Sequence, residues 1–412
     1  AAFLDQLGEP FVGLDAAIHP GDAMARFAER SSHGVRDVAW LEYFRSGHAG
    51  FRAVDQLLRW RFGGPEDGGG PSRLLDFGCG HGRVTRFLAR TYGTERVVAT
   101  EVDPGAVDFV RRFGVEARVS TRDPAAFEAP EGIDALVALS VLSHLPEAAF
   151  RGWLARWWQM LAPGGLLVFS VLDERVLLPG RVMPDDGFHF ERMSESEVLD
   201  LDDYGTTWVS EAFVRDVLGD CFDAAVVERL PLGRWHLQDL WVLVKGPAPA
   251  LPSLSAEPHP FDPGPVGYLE ACEVSADRRR VEVRGWARSA SGKTRVTLDL
   301  GGVEVATATP DGLRDDLPPT ALARGPAGFR LVADLPESIA PATRLCLTVR
   351  DGRTDAVRVL HLATVEATEL YARLAEARAD AARLADDVAV FEASGFGRLR
   401  RRWMAWKRQL GR

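Results

Sequence analysis

The sequence predicts an α/β unit built on a parallel sheet, capped by N-terminal helices and followed by an all-β sandwich and a terminal helix. Three observations carry that prediction. Strand-like and helix-like segments alternate from Arg73 to Lys245, a Pro- and Ala-rich stretch interrupts the chain at 246–265, and short β-branched segments follow it. The implied organisation is a helical cap over 1–70, an α/β domain over 71–246, a linker over 247–265, a sandwich over 266–363 and a helical, coiled-coil-like basic tail over 364–412.

Residues 1–62 read as helical. In AVDQLLRW, Val54, Leu57 and Leu58 recur at helical spacing. GGPEDGGGPS (63–72) is a cluster of chain breakers. RLLDFG, RVVATEV, IDALVALSVL and GGLLVFSVL then read as strands, with RVTRFLARTY, GAVDFVRRF and AAFRGWLARWWQML as the helices between them. Such alternation implies a parallel sheet covered on both faces. An irregular stretch over 173–206 precedes a helix at VSEAFVRDVLG, and AAVVERLPL and HLQDLWVLVK close the domain as an antiparallel pair. Beyond the linker, VEVRGWARS, TRVTLDL, VEVATATP, GFRLVADLP, RLCLTVR and VRVLHLA have the rhythm of a sandwich with Trp286 in its core. In the tail, Leu370, Leu374, Ala377, Ala381, Leu384, Val388 and Phe391 follow the spacing of a heptad seam.

A chain of 412 residues exceeds one ordinary core. Its 46% hydrophobic and 26% charged content is that of a globular protein. The net charge of −10 argues against a nucleic-acid partner, because phosphate binding needs a basic footprint. No apolar run approaches the length of a membrane span, and AAFLDQLGEP lacks the basic and apolar regions of a secretory signal. Cys79, Cys221, Cys272 and Cys346 are scattered without zinc or redox spacing, which fits free thiols in a cytoplasmic protein. No Asp/Glu/His set has metal-ligand spacing, so no metal is expected.

The chemistry is concentrated in LLDFGCGHGR (74–83), where Asp76, Gly78, Gly80 and Gly82 form D-x-G-x-G-x-G between a strand and a helix. Glycines let the backbone turn sharply and approach a ligand, and a helix N-terminus presents its N–H groups to the loop. Dinucleotide sites of the NAD type space their glycines as G-x-G-x-x-G and hold pyrophosphate. Here the third glycine comes one residue early and an acid precedes the first, which suits a cofactor carrying an ammonium and a sulfonium. Glu101 ends the next strand about 20 residues on, where an acid can accept bonds from ribose hydroxyls.

LLDFGCGHGRVTRFLA, VVATEVDP, IDALVALSVLSHLPE and LAPGGLLVFS resemble the successive motifs of class I S-adenosylmethionine-dependent methyltransferases. The resemblance implies a Rossmann-like seven-stranded sheet and S-adenosyl-L-methionine as cofactor. It implies that Asp76 and the backbone of Gly78 and Gly80 hold the methionine end and Glu101 the ribose, with Phe77, Cys79, Gly82 and Val102 also at the cofactor. Asp123 would lie near the adenine, although STRDP departs from the family's Gly-Asp pattern, and Ser140 would lie under the methionine portion. AWLEYFRSGHAG (39–50) resembles a cofactor lid of some of these enzymes, with Tyr43, Arg45 and Gly47 facing the site; the alternative is a cap that only buries the sheet edge.

Methyl transfer is an in-line displacement, and a hydroxyl acceptor gains from a general base. His144 follows the fourth strand, and His236 and Asp239 stand where the antiparallel last strand begins, on the side where open α/β sheets bind ligands. These three are the candidate catalytic residues; His189, on the long segment after the fifth strand, is next. Each histidine also has a purely structural reading.

GYLE, the GWA turn and the strand rhythm of 266–363 resemble sandwich modules appended to bacterial methyltransferases and glycosyltransferases of surface-polysaccharide synthesis. The tail RLRRRWMAWKRQLGR holds seven basic residues and no acid, with Phe396, Leu399, Trp403, Trp406 and Leu410 on one stripe. Such a helix suits peripheral contact with the inner face of an anionic membrane, or docking on a partner or a second copy of the chain. The leading functional reading is O-methylation of a sugar in a surface glycan or its precursor. The alternatives are methylation of another small molecule or lipid, and a non-catalytic scaffold.

Overall fold

The computed structural model describes residues 3–393, save 5–6, 8–9, 179, 194–199, 220–221, 235–236, 248, 255–260, 315–316, 318–324 and 355, with side chains in the last helix only to 384 and without 379. Cys221, His236, the seam residues Val388 and Phe391 as side chains, and the basic stripe from Phe396 therefore lie outside the described residues.

The chain begins with two helices, α1 (Ala23–Ser31) and α2 (Arg36–Phe62). Asp22 caps α1, accepting from the N–H groups of Met24 and Ala25. The helical reading of 1–62 holds for α1 and α2, whereas residues 11–22 are turns and extended chain; α2 runs unbroken through Gly47 and Gly50. The alternating unit follows in the expected order: β1 (Leu74–Phe77), α3 (Thr85–Tyr92), β2 (Val97–Glu101), α4 (Pro104–Arg111), β3 (Glu116–Val119), β4 (Ile133–Ala138), α5 (Glu147–Met160) and β5 (Leu161–Asp173). A short antiparallel pair, β6 (Phe188–Glu191) and β7 (Thr206–Val209), then precedes α6 (Glu211–Leu218), β8 (Ala224–Arg234) and β9 (Gln238–Lys245).

The main sheet runs β3-β2-β1-β4-β5-β9-β8, parallel except for β9 between β5 and β8. This is a Rossmann-like sheet whose strand order reverses between β1 and β4, the place where such sheets open a ligand crevice. Alternation sorts β5 onto two cores. Leu166 and Val168 join Leu57, Leu58 and Phe87 of the N-terminal helices and α3, whereas Leu167, Phe169 and Val171 join Trp153 and Trp157 of α5. Each such side chain contributes about 1.5–3 kcal/mol when buried. The segment expected to be irregular, 173–206, instead ends in the β6–β7 pair, whose Trp208 and Val209 extend the far end of β5 in parallel.

Seven further strands form two antiparallel sheets. One holds β10 (Val266–Val274), β11 (Arg280–Arg288) and β14 (Gly328–Asp334). The other holds β12 (Thr294–Leu300), β13 (Val303–Ala308), β15 (Arg344–Asp351) and β16 (Val357–Thr364). Their inner faces share one apolar cluster, including Val281, Val283, Phe329, Leu298 and Leu347. Trp286 is not in that core: Val281, Val283 and Ala287 set the phase of β11 and turn Trp286 to the other face.

The chain ends in α7 (Val365–Ala393), whose first turns bury Val365, Thr368 and Tyr371. Leu370, Leu374 and Leu384 of the expected heptad seam are exposed, so these described seam positions face outward. Val359 and Leu362 of β16 join the core beneath α2, and Arg45 of α2 donates to the carbonyls of Val359 and Leu360. Within 247–265, Pro252 and Asp262 are docked on α2. Asp262 and Gln56 exchange two hydrogen bonds of 2.8 and 3.0 Å, and Trp60 donates to Pro252. Among the described residues no helix is long and apolar enough to cross a membrane.

Candidate active site

β1 delivers Asp76 to the C-terminal edge of the sheet, on the face turned toward α3. There it accepts a 2.7 Å hydrogen bond from Thr85, the first residue of α3. Burial raises its carboxyl to about 6; the Thr85 hydroxyl and Arg234 oppose the rise and Glu101 adds to it. A buried acid held so high is one that an incoming cation would ionise.

The loop then turns through Gly80 at φ +54°, and a side chain added there would meet open space. That combination leaves the backbone of the turn open on this side, where a ligand can lie against the chain. Glu101, at the end of β2, closes the loop from the side. Its carboxylate accepts from the N–H groups of Gly80 at 2.9 Å and Val102 at 2.7 Å. Burial pushes this acid up as well, and the backbone donors draw it down. Glu101 thus braces the loop besides facing the position expected for a ribose.

The other expected contacts distribute unevenly. The Phe77 ring packs against Trp153 and Trp157 on the opposite face of the sheet, leaving only its backbone to the loop. The Cys79 thiol lies 3.3 Å from the Gly80 carbonyl, and burial pushes it well up, so it is an inert packing group. Asp123 is exposed and caps a 3₁₀ turn through the Ala125 N–H. Ser140 has φ +57°, and its N–H donates to the Ser170 hydroxyl at 2.8 Å.

The lid segment of α2 does reach the loop. Gly47 sits so close to the Arg83 carbonyl that a side chain there would collide with it at 2.5 Å. Ser46 accepts a hydrogen bond from Arg83. Tyr43 donates to Asp22 at 2.6 Å, and burial with that carboxylate pushes its phenol up. Arg45 is corrected: it turns away from the loop to Glu42 and to the carbonyls of β16.

Two arginines complete the edge, and neither was singled out in the sequence. Arg234, at the end of β8, is 2% exposed and donates to Ser140 and Gln238. Burial and then the charge of Arg83 drive its pKa well down, while Asp76 opposes. Arg83 is depressed by burial too. Asp76, Glu101, Arg83 and Arg234 thus lie within electrostatic reach of one another at this edge, a mix of charges that suits a zwitterionic ligand. The only signal in the sequence was their position beside elements that end at this edge.

Of the expected bases, His144 lies just beyond the end of β4. It closes a 3₁₀ turn after β4, is 8% exposed and lies flat on Tyr204 at 4.5 Å. Its Nδ1–H donates to the Gly205 carbonyl at 2.8 Å, so in the neutral ring Nε2 carries the lone pair. Asp239 is corrected. One oxygen accepts from the Leu232 N–H and from Arg175, the other from Arg229 and Arg175. Burial raises this carboxyl even so, but with its lone pairs committed it is an ion-pair anchor and not a base. His189 pairs with Glu191 at 3.1 Å on β6.

The residues present fit S-adenosylmethionine: a buried acid for an ammonium, guanidiniums for a carboxylate, an open glycine turn and an acid at the ribose position. When bound, the cofactor supplies an activated methyl group.

Comparison with known proteins agrees. Residues 74–165 match the family described as a methyltransferase domain. A trans-aconitate 2-methyltransferase of Streptomyces coelicolor is 29% identical over 237 residues, covering 53% of this chain and 73% of that one. A ribosomal protein L11 methyltransferase of Ralstonia nicotianae is 28% identical over 178 residues, covering 43% and 44%. A second trans-aconitate 2-methyltransferase, of Streptomyces avermitilis, is 33% identical over 139 residues, covering 32% and 49%. The chain thus spans under half the length of the latter two. Among solved structures, a Burkholderia thailandensis 1,6-didemethyltoxoflavin-N1-methyltransferase is 20% identical over 56% of this chain and 92% of that one, with a TM-score of 0.34. With the strand order, the D-x-G-x-G-x-G loop and the family match in hand, the chain carries a class I S-adenosylmethionine-dependent methyltransferase domain.

Proposed function

We propose that this methyltransferase acts on a small organic acid and transfers the methyl group to a carboxylate. The observation that carries the reading is the buried Arg234 guanidinium at the acceptor end of the sheet, with Arg83 close enough to depress its pKa. Guanidiniums bind carboxylates in a fixed fork geometry and orient them. The trans-aconitate methyltransferases named above add support, since their named substrate is an organic acid. A carboxylate is ionised at neutral pH and is already a nucleophile, so this chain's residues need only bind, orient and exclude water.

A second reading, O-methylation of a sugar hydroxyl, is favoured by one feature: His144, with Nδ1–H held by Gly205, keeps its lone pair on Nε2. A hydroxyl acceptor gains about 10²–10⁴-fold from such a base.

The test is release of S-adenosylhomocysteine by the full chain with a panel of organic acids, including trans-aconitate, and of free and nucleotide-linked sugars. The acid reading predicts turnover with an acid, and loss of less than about tenfold in His144→Gln, well below the base contribution. Turnover confined to sugars, with a hundredfold or greater loss in His144→Gln, would replace the acid reading with the hydroxyl one.

A further inference from the structure

Behind the lid helix lies a cavity of about 330 Å³ that the methyl-transfer reading does not use. α2 lends it Arg45, His48 and Arg52, the end of β8 lends Gly233, the docked segment lends Asp262, and β16 lends Arg358. Leucine, proline and valine side chains form much of the remaining wall.

The charges lining this space do not balance. Asp262 is its one acid among the described residues, and its oxygens are engaged by the Gly264 N–H at 2.8 Å and the Thr354 hydroxyl at 2.9 Å. Against it stand three guanidiniums. Arg45 is paired with Glu42. Arg52 has no side-chain hydrogen bond or ion pair among the described residues. Among the described residues Arg358 reaches only the Pro265 carbonyl, at a long 3.5 Å, and its buried Nε has no partner. Burial, then Arg45, lowers the Arg358 guanidinium to about 9, with Glu42 opposing and Arg52 adding to the fall. His48, against the rings of Phe11, Phe51 and Phe87, is driven down to about 3 by burial and then by Arg52 and Arg358. Its ring is therefore neutral and adds no further charge. Enclosed cations that outnumber their counter-charges are costly, and an anion in their midst relieves that cost.

We propose that this cavity is a binding site for a small organic anion bearing carboxylate or phosphate groups, separate from the cofactor cleft. Its volume falls at the lower end of ligand pockets, roughly 300–1,000 Å³. Convergent guanidinium forks match both kinds of oxyanion, and the apolar wall suits an organic body rather than a bare ion. Arg45, His48 and Arg52 share α2 with Tyr43 and Gly47, so an occupant would brace the helix that rests on the glycine loop.

The test is calorimetric titration of the full chain, saturated with S-adenosylhomocysteine, using citrate and inorganic pyrophosphate as probes. Wild type is compared with Arg52→Gln and Arg358→Gln. Arg52→Gln removes no hydrogen bond, so it should fold and keep its affinity for S-adenosylhomocysteine, which thermal unfolding and a separate titration verify. The expected result is saturable binding of at least one probe, weakened about tenfold or more in each variant. Citrate alone would mark a carboxylate ligand, and pyrophosphate alone a phosphate ligand. Failure of both probes to bind wild type, or equal affinity in wild type and both variants, would overturn the proposal.

Discussion

Asp76 and Asp239 are carboxylates on two strands of one sheet, and burial raises both. Their surroundings differ. Asp76 has one protein donor, Thr85, and faces a turn with open space beside it. Asp239 is enclosed by Arg175, Arg229 and the Leu232 N–H, in a cluster that also takes in Asp173 and Glu211. Burial alone therefore does not mark a functional acid. The mark is burial with lone pairs left for a ligand, and on that ground Asp76 belongs to the cofactor and Asp239 to the fold.

Substitutions can break that contrast. The largest expected effect is on stability. Asp239→Ala leaves the buried Leu232 N–H without its acceptor, which costs about 1–3 kcal/mol, while Arg175 and Arg229 keep Asp173 as a partner. Chemical denaturation should show that loss, while affinity for S-adenosylhomocysteine at low denaturant stays near wild type. A stable Asp239→Ala chain that has lost ligand affinity would reverse the roles of the two acids.

A smaller effect comes from pH. The Asp76 carboxyl is held at about 6, above its ordinary 3.8. The folded, ligand-free chain therefore binds this proton more tightly than the unfolded chain. That contribution to stability is complete below the ordinary value and is lost as pH rises through about 6. Ligand binding has the opposite sign, because an ammonium pairs with the ionised acid. Affinity for S-adenosylhomocysteine should be flat above about pH 7 and fall toward a limit of tenfold per unit, about 1.4 kcal/mol, below about 6. In Asp76→Asn the affinity should be weak and lack this inflection.

The contrast also explains what the sequence made legible. The glycine loop and Glu101 could be read because the backbone demands of a tight turn fall on consecutive residues, and because a strand-end acid has a fixed distance from them. The parallel sheet and its antiparallel last pair followed from alternation and chain direction. The β6–β7 pair was missed because FHFE and TTWV are four residues each, too short for a period to show. Trp286 was misplaced because an aromatic residue suggested core, whereas the valines of β11 set which face turns inward. Arg45 was placed at the cofactor because α2 approaches the loop, although the two sides of that helix serve different neighbours. Asp239 looked like a base because its arginine partners are 10 and 64 residues away along the chain. The arginine cavity had no sequence signal at all, since it gathers side chains from α2, β16 and the segment between the two units.

The central claim is that the Asp76–Gly82 loop, closed by Glu101, is where S-adenosylmethionine binds. Calorimetric titration of S-adenosylhomocysteine into wild type, Glu101→Ala and Gly80→Val tests it most directly. The account predicts one site in wild type and a loss of about 1.5–3 kcal/mol for each bond to the charged group removed in Glu101→Ala. It predicts no measurable binding in Gly80→Val, where a branched side chain is forced into a positive-φ turn and into the cleft. Wild-type affinity in both folded variants would contradict it and place the cofactor elsewhere on the chain.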